Sequence, residues 1–156
     1  MRPRSLRELL DGQLARQLAG RTPGILARGS DGALERRFGA PLVERLSFTA
    51  MARSYDRQVA PEFTGAIVYE LTRPATGAAA SCWTIVVSDG RAAARAGEPD
   101  DGVAAVSVRL PVADFLRIAA GRIDPAEPLL SGRAQISGDL ALASRLPEMF
   151  GARRPR

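Results

Sequence analysis

At Pro61 the spacing of apolar residues changes from helical to alternating, which limits the chain to helices first and a sheet afterwards. Before that point Leu42, Val43, Leu46, Met51 and Tyr55 form the expected buried stripe of a helical pattern from about Ala33 to Val59. Gly39-Ala40-Pro41 interrupts the pattern and Pro61 closes it. After it, Phe63, Gly65, Ile67, Tyr69 and Leu71 alternate with Thr64, Glu70 and Thr72, as in a strand with one drier face ending at Arg73-Pro74.

A second strand is expected over Ala80–Ser88, with Trp83, Ile85 and Val87 on one face and Cys82, Thr84 and Val86 on the other. Asp89-Gly90 tolerates positive φ at both positions, so a type I′ hairpin into a third strand, Arg91–Ala96, follows. Glu98-Pro99-Asp100-Asp101-Gly102 is a further turn. The fourth strand, Val103–Leu110, carries Ala104, Val106, Val108 and Leu110 on its apolar side. Read in order, these strands predict an antiparallel meander.

The remainder reads as helix, strand, helix. Pro111 starts a helix whose stripe is Val112, Phe115, Leu116 and Ala119, and Gly121 ends it. Asp124-Pro125-Ala126-Glu127 signals another short helical turn, with Asp124 as its cap. A fifth strand spans Arg133–Ser137 with Ala134 and Ile136 inward. Gly138-Asp139 then opens a last helix carrying Leu142, Leu146, Met149 and Phe150 at helical spacing.

Ahead of all this, Leu6, Leu9, Leu10, Leu14 and Leu18 mark an amphipathic helix from Ser5 to Ala19, followed by a Gly- and Pro-punctuated linker. The expected organisation is therefore 1–32 as helix and linker, 33–150 as the folded domain, and 151–156 as a basic tail. The predicted fold class is α+β: a five-stranded, mainly antiparallel sheet covered by helices on one face, preceded by the extra N-terminal helix.

Composition removes most chemistry. The chain has no His and no Lys, and its 22 basic residues are all Arg. Imidazole bases, Schiff-base lysines, Walker-type phosphate loops and His- or Cys-cluster metal sites are excluded, and the expectation is a protein that is not an enzyme and needs no cofactor. Cys82 is the single cysteine, so no internal disulfide forms and a cytoplasmic location is expected. The formal charge of +5 permits an anionic partner. Scattered cations, 5% aromatics and no zinc or helix-turn-helix spacing speak against nucleic acid.

From pattern alone, Phe115, Leu116, Leu142, Leu146, Met149 and Phe150 facing Trp83, Ile85, Val106 and Val108 allow either a filled core or an apolar cavity. A resemblance bears on that choice. Asp114-Phe115-Leu116, then Gly121-Arg122-Ile123-Asp124-Pro125, then Ser131-Gly132-Arg133-Ala134-Gln135-Ile136-Ser137-Gly138-Asp139, then Leu146 and Met149-Phe150 resemble the sterol carrier protein type-2 (sterol-transfer) family. The similarity runs from roughly Phe63 to Phe150. It departs from the family in the first thirty-odd residues, in the Arg-Ala-Ala-Ala-Arg-Ala third strand, and in ending on Arg-Pro-Arg instead of a peroxisomal Ser-Lys-Leu.

The resemblance implies a hydrophobic tunnel between sheet and helices. The ten residues just paired across the interior would then contact an apolar lipid, fatty-acyl or sterol-like, with its polar end near an Arg and the last helix as gate. Alanine and glycine would leave the necessary space. The alternative from a different class is an interaction or dimerisation module of the same fold with a collapsed cavity. Such a module would use the Leu6–Leu18 stripe with Arg2, Arg4 and Arg7 on a membrane surface, a partner or a second copy.

Overall fold

The computed structural model describes residues 28–151, so the expected Ser5–Ala19 helix and residues 152–156 of the basic tail lie outside the described residues. Two helices come first. Ser30 caps α1 (Asp31–Phe38), its hydroxyl accepting from Ala33 N at 3.3 Å. Pro41 sits at the start of α2 (Pro41–Arg53), where its missing N–H is no loss. The helix ends at Arg53, short of the expected Val59.

The buried stripe on α2 differs from the sequence expectation. Leu42 is 66% exposed, and Val43, Leu46, Met51 and Tyr55 are only partly buried. Glu44, Phe48 and Ala52 face inward instead. The period was right and the phase was shifted, because Glu44 finds an internal partner that lets a carboxylate occupy an inward position.

Five strands follow: β1 (Gly65–Thr72), β2 (Ser81–Ser88), β3 (Arg91–Ala96), β4 (Val106–Pro111) and β5 (Gln135–Gly138), in the order β3-β2-β1-β4-β5. Asp89 (φ 53°) and Gly90 (φ 73°) make the expected β2–β3 turn. The meander stops there. After β3 the chain crosses β2 and β1 to lay β4 beside β1 in parallel, so the sheet is mixed although its other pairings are antiparallel. A reading by hairpin signals could not see this, because the 97–105 connection carries turn residues whether or not the next strand is its neighbour.

Register aligns one apolar face. Ile85, Ile67, Val106 and Gly138 lie in one row, and Trp83, Tyr69, Val108 and Ile136 in the next. The β3 contribution to this face is Ala92, Ala94 and Ala96, opposite Val87, Ile85 and Trp83. α2 lies against β3 and β2, and the short alanine side chains let its backbone come close.

After β4 come α3 (Val112–Ala119), α4 (Ala126–Leu130), α5 (Leu140–Ala143) and α6 (Leu146–Met149). Val112 and Leu116 are buried as expected, whereas Ala119 is exposed. Asp31 on α1 and Arg117 on α3 meet at 2.6 Å, and Phe38 packs against Phe115 with centroids 6.0 Å apart. The single last helix expected from spacing is two separate turns. Pro147 explains the division: within one continuous helix it would forfeit a bond to the Ala143 carbonyl and press its ring against it.

Candidate functional site

The residues expected to line a cavity are brought together. Trp83, Ile85, Val106, Val108, Leu116, Leu142, Leu146 and Met149 belong to one buried cluster, and the partly buried Phe115 and Phe150 pack against it. At its centre stands Phe48, which was not part of the expected stripe. Its ring stacks on Trp83 (centroids 5.1 Å apart, planes 10°) and on Phe115 (5.3 Å, 20°), and Tyr69 tilts against it at 5.8 Å. Burying an aromatic of this size contributes about 1.5–3 kcal/mol, with about 0.5–1.5 kcal/mol more for each good ring pair.

One wall of this interior is slight. Asp139 caps α5, its Oδ1 accepting from Leu142 N at 3.0 Å, while its own N–H donates to Ala105 O at 2.9 Å. From α6 onward, Asp56 N–H donates to Met149 O at 2.7 Å and the Ser54 hydroxyl donates to Phe150 O at 2.9 Å. Phe150 rests against Tyr55 with centroids 5.7 Å apart. Met149, 0% exposed, is thus buried from α6, a one-turn helix tied to the segment just after α2, while α5 is tied to Ala105.

The opposite end of the interior is polar. A concavity of about 590 Å³ opens at the elbow between α1 and α2, bounded by Glu35, Arg36, Gly39, Ala40 and Glu44 on one side and by Arg73, Thr76, Ala78, Ala79 and Ser81 on the other. Three of its charged residues are nearly buried: Glu35 at 2%, Glu44 at 7% and Arg73 at 8% exposure. Glu35 accepts from Ala75 N at 3.0 Å and from Thr76 N at 2.8 Å, which pins the β1–β2 loop to α1. Arg73 donates to Glu44 Oε2 at 3.1 Å, to Ala79 O at 2.9 Å and to the Ser81 hydroxyl.

Glu44 Oε1 accepts from the indole N–H of Trp83, so the polar floor and the apolar interior share one side chain. Glu44 and Arg73 are paired and hydrogen-bonded, and Glu35 accepts from two backbone amides, the conditions on which buried charges are tolerated. Nothing in the sequence announced this group. The only local hint is that Glu44 falls four residues before Phe48 and eight before Ala52, on the stripe that turns inward.

A second concavity, about 380 Å³, lies by the β2–β3 turn among Arg57, Gln58, Pro61, Asp89 and Gly90, away from the residues expected to bind lipid. Burial raises the pKa of the Tyr69 phenol well above its usual value. The Cys82 thiol is also pushed up, first by burial and then by Glu98 and Glu70, which keeps it in its poorly nucleophilic form. Gly121, Gly132 and Gly138 have positive φ, and Asp124 Oδ1 accepts from Ala126 N at 2.8 Å, in keeping with backbone and capping duties. What the ensemble can do is shelter apolar surface from water while presenting hydrogen-bonding groups at one end. Among the described residues no helix is long and apolar enough to cross a membrane.

Comparison with known proteins agrees with this architecture. The sequence model of the SCP-2 sterol transfer family matches residues 48–151. The sterol carrier protein domain 2 of Helicoverpa armigera is similar in structure, with a TM-score of 0.56, 17% identity, and 74% of this chain covering 91% of that one. A palmitated sterol carrier protein 2-like protein from Aedes aegypti gives 0.53, 19%, 70% and 93%. The stereoselective inverting sec-alkylsulfatase of a Pseudomonas species gives 0.53 and 20% identity, 81% of this chain corresponding to 20% of that enzyme. At these identities the likeness concerns the fold. No curated protein matches the chain.

Proposed function

The chain belongs to the SCP-2 sterol transfer family, a family of lipid binding and transfer, and we propose that it is a non-catalytic carrier whose interior takes the apolar part of a fatty-acyl or sterol-like lipid. The guest lies between the sheet face of Ile85, Val106 and Val108 and the C-terminal turns, and it enters by lifting α5 and α6. The observation that carries this reading is Met149: fully buried among apolar side chains, yet carried on α6, a single helical turn that follows another single turn, α5. Its unbranched thioether adapts to a new neighbour more readily than a branched side chain.

Magnitudes are favourable. Each methylene removed from water contributes about 0.8 kcal/mol, so about ten buried methylenes gather on the order of 8 kcal/mol. That offsets the loosening of two short turns and the repacking of Phe115, Leu146 and Phe150. The palmitated Aedes aegypti protein supports a fatty-acyl guest on this fold. Organic extraction of the purified protein followed by mass spectrometry tests the reading. A stoichiometric copurified lipid, or displacement of a fluorescent fatty acid by added lipid, is expected. A clean extract together with no probe binding would overturn it.

The stacked rings of Phe48, Trp83 and Phe115 favour a second reading, an interaction or dimerisation module with a collapsed interior. Residues 5–19 would then supply the contact, with an anionic membrane surface or a second copy as partner. Liposome flotation and sedimentation of the full chain against a form lacking residues 1–20 separate the two. Loss of vesicle binding or of dimer on truncation, with no lipid in the interior, would favour this second reading.

A further inference from the structure

We infer that the elbow pocket between α1 and α2 receives the polar end of the guest and selects a neutral, hydroxyl-bearing head over a carboxylate. The inference rests on the reading that the interior takes an alkyl chain, and it adds which chemistry that chain carries at its end. The pocket and the interior are one indole apart. Trp83 donates from its ring N–H to Glu44 in the pocket wall, and the same ring stacks on Phe48 inside.

The selectivity follows from commitments already made. Arg73 is the buried cation of the pocket, and it is held by Glu44, by the Ala79 carbonyl and by the Ser81 hydroxyl. Its charge is compensated. Glu35 is the other buried carboxylate, and Arg36 stands exposed at the rim, so the charged lining sums to zero. A carboxylate brought in would lose hydration and find only Arg36 as an open cation, at the solvent-exposed rim where a pair contributes little, and would lie near two buried carboxylates. A hydroxyl loses far less hydration. It can donate to the lone pairs that Glu35 and Glu44 have left over, since a carboxylate offers about four acceptor sites and each accepts two bonds here.

The test compares 1-monolauroylglycerol with laurate at neutral pH, two ligands with the same acyl chain length and different heads, as competitors of a fluorescent apolar probe on the full chain. The emission of Trp83, the single tryptophan, is followed in parallel. Monolauroylglycerol is expected to bind at least about tenfold tighter and to shift the Trp83 emission. In Glu44→Gln, where the Arg73 charge is released, the preference is expected to move by about tenfold toward laurate. Equal affinities, or laurate the tighter, would overturn the head-group assignment and leave the carrier reading intact. A ratio unmoved by Glu44→Gln would remove the assignment to this pocket, and failure of both ligands to displace the probe would remove the carrier reading with it. Should Glu44→Gln not fold, the wild-type ratio and the Trp83 shift decide the matter alone.

Discussion

The indole N–H of Trp83 is bonded to the carboxylate of Glu44, which places a ring of the apolar interior under the control of a charged residue on a different element. Glu44 comes from α2 and Trp83 from β2. The carboxylate also holds Arg73, so one residue ties together the helix layer, the sheet and the β1–β2 loop.

Removing one partner of this buried set is therefore costly. Glu44→Ala is expected to lose about 3–5 kcal/mol, because Arg73 stays buried without its counter-charge. Adding Arg73→Met should recover a large part of that loss. Urea unfolding of the two single variants and the double variant measures the coupling, and strictly additive losses would show that the pair acts independently.

Gly138 is the most demanding glycine of the sheet. It sits at φ 97°, and a Cβ there would stand 2.3 Å from the Ala105 carbonyl oxygen, which is backbone and cannot swing away. Gly138→Ala is expected to cost several kcal/mol and to loosen β5 from β4. Gly102→Ala, at φ 68° with open space around it, should cost only about 1 kcal/mol. Thermal melts followed by circular dichroism distinguish the two.

Much of this was legible beforehand. The β2–β3 turn, the extents of β2 and β3, and the inward faces of β1, β2 and β4 follow from alternation and from Asp89-Gly90, signals that act over a few residues. The parallel pairing of β1 with β4 was not legible, because nothing local at Val103–Leu110 says which strand lies beside it. Phe48 and Glu44 were missed for a related reason: helical periodicity gives a stripe but not its phase, and Glu44 faces inward only because Arg73, 29 residues away, meets it there.

Alkaline pH should weaken the fold through Tyr69. Its phenol is buried and its pKa raised, so the unfolded chain releases that proton first, near pH 10. The stabilising contribution is complete below that pH and is lost as pH rises beyond it, by up to about 1.4 kcal/mol per unit. Tyr69→Phe is expected to flatten this fall, as read from denaturant midpoints between neutral pH and pH 11; an unchanged slope would contradict it.

Asp139 holds the first turn of the C-terminal segment. Asp139→Ala removes the bond to Leu142 N and should cost about 1 kcal/mol of stability. If this segment is the gate, the same change should quicken lipid exchange several-fold, as measured by stopped-flow transfer of a fluorescent fatty acid to vesicles. A stability loss with no change in exchange would place the gate elsewhere.

The most direct measurement is an NMR search for intermolecular NOEs between a bound alkyl chain and methyl groups of Ile85, Val106 and Met149. Cross-peaks from the chain to all three methyls are expected, since the guest is held between the sheet and the terminal turns. Saturating lipid with no cross-peaks to these methyls, or with contacts confined to exposed side chains, would contradict an interior site.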